Sequence, residues 1–324
     1  MKIGIRSTRA VAAVGTAALL AGGLLAGSTA ALASASGTGV ISISALSTSY
    51  GSTTGGTNVI ITGTGFNRIS EADHGSVLFG AKPAVSFMVL SGTSISAKAP
   101  AGAGSGLRVQ VTDKVYASAD TAADNWTYLA PVTVKAPAGT ELSAAGGTVV
   151  RLTISGPGSI GATSAEFTTN KVTATVDGTA ATLAFLDATH VDLTTPAGIP
   201  TRSGVKMPVA IGVHGVAGTA DATNVRYDAV VTKLSVSTGK TAGTTGTTSS
   251  PALTITGVGL TTATGWTFGK TKGTCTAAAG KASTTWTCVS IPAGPAGTVS
   301  VLPTFGDGTK AGLTAAAAYT YTNL

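Results

Sequence analysis

The residue types that carry chemistry are few in this chain of 324 residues: three histidines, two cysteines and thirteen acidic side chains. His74, His190 and His214 lie far apart along it. In Ala188-Thr189-His190-Val191-Asp192-Leu193, alternation sets His190 and Asp192 on one strand face and Val191 and Leu193 on the other, an exposed structural position. Glu71, Asp73 and His74 share the polar loop Ser70–Gly75 and have the chemistry of a cation site. No EF-hand spacing or repeated Asp-Gly accompanies them, so a solvated loop is the expectation. The sequence has no Gly-x-Ser-x-Gly elbow, no His-Glu-x-x-His helix and no Gly-x-x-x-x-Gly-Lys phosphate loop. Nor do the carboxylates form a pattern that would place a pair across a glycosidase cleft. The expectation is a protein that is not an enzyme, with no catalytic residue, no metal and no cofactor.

Cys275 and Cys288, with twelve residues between them, are the two cysteines. In an exported protein such a pair forms a disulfide, and closing that loop is worth about 3 kcal/mol. A redox pair would need Cys-x-x-Cys spacing, and a metal site would need further ligands, yet no histidine lies nearby. Trp266 and Trp286 are expected to pack close to the disulfide.

The elements that must position these residues are organised around Gly55-Gly56-Thr57-Asn58-Val59-Ile60-Ile61-Thr62-Gly63-Thr64-Gly65-Phe66. This is a turn, a strand with Val59 and Ile61 on one face, and a second glycine-dependent turn. The phrase returns as Leu152-Thr153-Ile154-Ser155-Gly156-Pro157-Gly158 and as Leu253-Thr254-Ile255-Thr256-Gly257-Val258-Gly259. Pro-Ala-Gly recurs at Pro100, Pro196 and Pro292, 96 residues apart each time, and a strand ending in Tyr128, Tyr227 and Tyr321 closes each unit. A period near 95 is too long for solenoid or propeller repeats and suits an all-β sandwich of about 100 residues.

The order of motifs in the first unit carries a family resemblance. Gly-Gly-Thr and Ile-Thr-Gly-x-Gly-Phe are followed by Val77-Leu78-Phe79-Gly80, then Ile95 to Gly102, Leu107 to Thr112 and a closing Trp126-Thr127-Tyr128. This resembles the IPT/TIG domain, an immunoglobulin-like sandwich of cell-surface receptors, some transcription factors and bacterial surface and secreted proteins. In the second unit two extra residues separate Gly146-Gly147 from the Ile-Ser-Gly turn, and no Phe follows that turn. The third lacks the leading Gly-Gly but keeps Trp266-Thr267-Phe268-Gly269. The resemblance implies a fold and a habit of binding or spacing, and no activity.

Lys2, Arg6 and Arg9 precede an apolar run from Ala10 to about Gly27, and Ala31-Leu32-Ala33 offers the small residues of a signal-peptidase site. The expected layout is a signal peptide over 1–33 and three tandem IPT/TIG-like β-sandwiches over 37–130, 131–229 and 230–324. The segment 1–33 holds three positive charges and no acidic residue, so the formal +7 falls to +4 once it is removed. The remaining charges are scattered, which argues against nucleic acid, whose binding needs a clustered basic face. Only 10% of residues are charged and aromatics make up 5%, so each core must be mainly aliphatic. Ser86–Leu90 reads as a central strand, the alanine tract Ala315–Ala318 as a short connection, and both linkers as only a residue or two long. No membrane anchor or sorting signal is expected beyond the cleaved leader.

These readings point to a secreted, non-enzymatic structural or adhesive protein, extracellular or held non-covalently at the cell surface. Its partners would be other proteins or its own copies. The alternative is carbohydrate binding to a wall or extracellular polysaccharide, with sugars stacked on exposed aromatic rings. Among Tyr50, Phe66, Trp126, Trp266, Trp286 and Tyr319, most fall at core or closing-strand positions. Tyr50, in the loop Ser47–Gly51, is the exposed ligand-contact candidate. A third reading, an accessory module of a larger secreted enzyme complex, has the same sequence signature.

Overall fold

A computed structural model of the chain describes residues 40–70, 76–113, 115–202, 205–247, 252–280 and 284–323. The leader, together with Glu71, Asp73 and His74, lies outside the described residues. What is described is almost entirely β-structure, with immunoglobulin-like sandwiches as expected.

The organising phrase forms the strand Asn58–Thr64, which buries Val59, Ile61 and Gly63 and exposes the residues between them. Its sheet runs Ser42–Leu46, Asn58–Thr64, Ser94–Lys98, Ser86–Ser91. The facing sheet runs Tyr50–Ser52, Asn125–Leu129, Leu107–Thr112, Ser76–Phe79, Lys82–Pro83. Between them Ile41, Val59, Ile61, Phe66, Ile95, Val109, Val111 and Trp126 are fully buried. Trp126 meets Phe79 edge-on at 4.9 Å, so this core gains aromatic contact as well as aliphatic burial. A second core gathers around Leu152, Ile160, Val191 and Tyr227, and a third around Leu253, Ile255, Trp266 and Tyr319.

The three cores share their local devices. In each, a short early strand runs parallel to the closing one: Tyr50–Ser52 with Asn125–Leu129, Thr140–Ser143 with Val225–Leu234, and Thr238–Lys240 with Ala318–Thr322. Gly65, Gly156 and Gly259 end the organising strand with φ of 80°, 95° and 77°, a left-handed conformation that glycine adopts without strain. Gly65 and Gly156 each stand nine residues after the Gly-Gly pair. The second strand, Val149–Ser155, therefore carries no insertion, correcting the reading of two extra residues. Ile154 occupies the place of Gly63 and Gly257. Those glycines admit the backbone of the neighbouring strand, since a Cβ on Gly63 would lie 1.9 Å from the Ser42 carbonyl oxygen and one on Gly257 2.3 Å from that of Val230, with the Phe66 ring and Leu260 next at 2.6 and 3.0 Å. In the first and third copies the partner strand shifts register beside the glycine, whereas in the second Ile154 pairs with Val134 in unbroken register and is buried.

Pro-Ala-Gly and the closing tyrosine form a lock. The Gly198 amide donates to the Ala144 carbonyl, and a Cβ on Gly198 would lie 2.4 Å from the Tyr227 ring. Gly102 faces Tyr128 and Gly294 faces Tyr321 in the same way. Tyr227 and Tyr321 donate their hydroxyls to the carbonyls of Pro196 and Pro292 at 2.9 and 2.7 Å.

Two strand assignments differ from expectation. Ser86–Ser91 is at the edge of its sheet, not its centre. The continuous apolar run Phe87-Met88-Val89-Leu90 has the look of a strand buried on both sides. In fact only Phe87 and Val89 face the core, while Met88 and Leu90 are 62% and 50% exposed. At the second junction there is no linker: Val225–Leu234 is one unbroken strand, pairing first with Thr140–Ser143 and then with Leu253–Val258. The helix Ser164–Thr169 was not foreseen, being too short to show a helical period. The alanine tract is a single 3-10 turn at Ala315–Ala317 leading into the last strand, as expected.

Candidate binding site

The disulfide joins Cys275 to Cys288 across two adjacent antiparallel strands, Thr271–Ala277 and Thr285–Ile291. Cys288 also pairs with Leu253, six residues before Gly259. The matching positions in the other cores are Phe87 opposite Ala97, facing Val59, and Leu183 opposite Leu193, facing Val150. The bridge thus stands where the other two segments have an apolar cross-strand contact, which marks it as structural. Trp266 and Trp286 meet edge-on at 5.9 Å in the same core as Cys288.

His190 is half-buried on the outer face of its strand, with Nδ1 3.0 Å from the Asp187 carboxylate. Hydrogen bonds from the Thr189 side chain and amide, and then His190, hold the Asp187 carboxyl down at about 2. The three residues form a turn cluster at the end of a β-hairpin. Phe66, Trp126, Trp266, Trp286 and Tyr319 are all buried, so none offers a ring face to a ligand. Among the described residues no group of three or more His, Cys, Asp and Glu is placed to hold a metal ion.

Tyr50 has a different position. It is half-buried, and its ring stacks on the imidazole of His214 with centroids 3.8 Å apart and planes 11° from parallel. Tyr50 opens the short parallel strand of the first segment, and His214 stands 164 residues later. His214 and Gly215 form the two-residue turn joining Val209–Val213 to Val216–Ala217, with φ of 50° and 78°. The His214 amide donates to the Asn170 carbonyl at the end of the short helix. Burial and then the Lys171 ammonium push the His214 imidazole below its usual pKa, favouring the neutral ring.

This stack lies in a cleft of about 720 Å³. Ser47, Ser49, Asn58, Lys171 and Thr173 line it beside the two rings, and its lining includes no carboxylate. Nothing in the sequence joined Tyr50 to His214; the signal available was a histidine, rather than Asn or Gly, at the first position of a hairpin turn.

A second cleft, of about 460 Å³, lies beside the unbroken strand and is lined by Glu141, Asp228 and Leu313 among others. Arg226 donates to the Glu141 carboxylate, and its Nε is 3.2 Å from Oδ1 of the buried Asp228. Burial raises the Asp228 carboxyl, Arg226 lowers it and Glu141 raises it again, with a net upward shift. With a guanidinium already seated between two carboxylates, this is a structural joint rather than a cation site. It is reinforced by Arg202, 3.5 Å from Asp307, and by Pro200 packed against Gly259.

The outer surface of the first segment carries the other feature of note. Met88 and Leu90 are 62% and 50% exposed on the edge strand Ser86–Ser91, Val85 just before it is 64% exposed, and Ile60 adds to the outer face. Ser86–Ser91 bears no charge, and no strand of the described residues pairs with its free side.

Comparison with known proteins places the first segment. The family model described as IPT/TIG domain matches residues 42–128. No curated protein matches the chain in sequence. Among solved structures, the full extracellular region of plexin A4 aligns at 15% identity and TM-score 0.35, over 86% of this chain and 24% of that one. The Bacteroides ovatus protein SGBP-B of the mixed-linkage glucan utilization locus, in complex with a mixed-linkage heptasaccharide, aligns at 16% identity and TM-score 0.24, over 86% of this chain and 65% of that one. The Yersinia pseudotuberculosis adhesin InvE aligns at 14% identity and TM-score 0.21, over 59% of this chain and 60% of that one. The chain thus spans about a quarter of the length of the plexin region. Residues 42–128 thus match the IPT/TIG domain in sequence and form a two-sheet sandwich.

Proposed function

We propose that this is an exported, non-catalytic surface protein of three tandem immunoglobulin-like sandwiches, over 37–130, 131–229 and 230–324, behind a leader removed after Ala33. It works by surface contact, and the first contact we assign is with a second copy of itself along the edge strand Ser86–Ser91. The observation that carries this reading is an edge that is apolar, uncharged and unpartnered at once. Sheet edges left in this state invite pairing, and soluble proteins usually blunt them with lysine, proline or a bulge. Ser86–Ser91 contains neither lysine nor proline. Its one irregularity, between Val89 and Ser91, sits at the far end of the strand.

The occupant follows from the strand's own composition. A neutral strand meets no like-charge repulsion from its own copy. An antiparallel pair centred on Met88 keeps the Val89–Ser91 irregularity at its margin, sets the two Met88 side chains against each other and lays each Leu90 beside the other copy's Ser86. The unbroken strand and the Arg226 joint favour a fixed second and third segment behind the pairing one, which suits a structural or adhesive protein. Hydrogen–deuterium exchange at low and high protein concentration tests the assignment. Amides of Ser86–Ser91 gain protection at high concentration if the pairing forms. Equal exchange at both concentrations contradicts it.

A further inference from the structure

We propose that the cleft around Tyr50 and His214 is a binding site for a short acidic saccharide, one bearing uronate carboxylates. Three observations converge there. The first is chemical: the cleft combines a stacked aromatic pair with hydroxyl and amide side chains, and among the described residues those of Ser49, Asn58, Lys171 and Thr173 make no hydrogen bond. Hydroxyls and amides both donate and accept, as sugar hydroxyls do, while the C–H face of a pyranose is apolar and is covered well by a flat ring. At about 720 Å³ the space is in the range of small-molecule sites.

The second observation is electrostatic. Lys171 is the one lining residue of fixed charge, with no acidic residue to neutralise it. A carboxylate on the ligand supplies the missing partner through a charge-assisted hydrogen bond.

The third is conformational. Three described residues other than glycine adopt positive φ, and two of them, Lys171 at 47° and His214 at 50°, line this cleft. Lys171 follows the short helix, where glycine or asparagine is the usual residue, and His214 takes the asparagine or glycine place of a hairpin turn. Strain held at one cleft by side chains with useful chemistry points to selection for those side chains rather than for the turn. An acidic peptide would match Lys171 equally well, but it would leave the ring pair and the hydroxyl rim without complementary groups.

Calorimetric titration of the full chain with tetragalacturonate, cellotetraose and poly-glutamate distinguishes the outcomes. Tetragalacturonate is expected to bind, and to bind more weakly as salt is raised. Lys171→Gln is expected to weaken it at least tenfold, Lys171→Arg to retain most of the affinity, and Tyr50→Ala to remove it. Near-ultraviolet dichroism of Lys171→Gln serves as the folding control, since that side chain is exposed and unbonded. The proposal is overturned if tetragalacturonate fails to bind, if cellotetraose or poly-glutamate binds as tightly, or if Lys171→Gln binds like the parent.

Discussion

Tyr227 donates its hydroxyl to the Pro196 carbonyl at 2.9 Å while its ring packs against Gly198. The same lock recurs at Tyr321 with Pro292 and Gly294, so one device closes both later cores. Gly198→Ala would place a methyl 2.4 Å from the ring and should destabilise the protein by about 1–3 kcal/mol through overpacking. Tyr227→Phe should cost about 1 kcal/mol. Tyr128 makes no such hydrogen bond, so Tyr128→Phe should cost less. Urea denaturation of the three variants checks the order.

Asp221 should govern part of the acid sensitivity. Burial alone would raise its carboxyl, but hydrogen bonds from Asn224, Thr223 and Ala136 outweigh this and bring it from 3.8 to about 2. A carboxyl depressed on folding stabilises fully above its unfolded value, and that stability is lost as pH falls through the folded one. The loss should amount to about 2 kcal/mol between pH 4 and 2. Thermal melts over that window should fall more steeply for the parent than for Asp221→Ala, which starts lower at pH 7.

Reduction of Cys275–Cys288 should destabilise the third core by about 3 kcal/mol. Trp266 and Trp286 share that core, so their emission should report the shift. Unfolding followed at Trp126, in the first core, should be unchanged.

Arg226→Ala should be among the most damaging single changes, at about 3 kcal/mol, because it leaves the buried Asp228 carboxylate without its cation. Arg226→Lys should recover only part of this, since an ammonium lacks the fork that reaches Glu141 and Asp228 together. Differential scanning calorimetry on both variants tests the ranking.

Much of this fold is written in local phrases. Val59 and Ile61 at period two, the glycine turn at Gly65 and the Pro-Ala-Gly before Tyr128 are short-range chemistry, and each is where the sequence puts it. The edge position of Ser86–Ser91 was hidden because Met88 and Leu90 interrupt the polar alternation that marks a half-exposed strand. The offset at Ile154 was hidden because an isoleucine stands where the other copies have a glycine pressed against the neighbouring strand's carbonyl. Tyr50 was legible as an aromatic outside the cores, but it is half-buried rather than exposed, and its stack on His214 was not legible, since contacts between segments leave no periodic trace. The unbroken strand Val225–Leu234 was masked by the habit of placing a linker between sandwiches.

Light scattering coupled to size-exclusion chromatography, across a dilution series, tests the central claim of edge-to-edge association most directly. The parent chain should show a mass that rises with concentration, and Met88→Lys should stay monomeric throughout, because each pairing would then bury two ammonium groups. A parent chain of one constant monomeric mass, or a Met88→Lys variant that associates as the parent does, would contradict it.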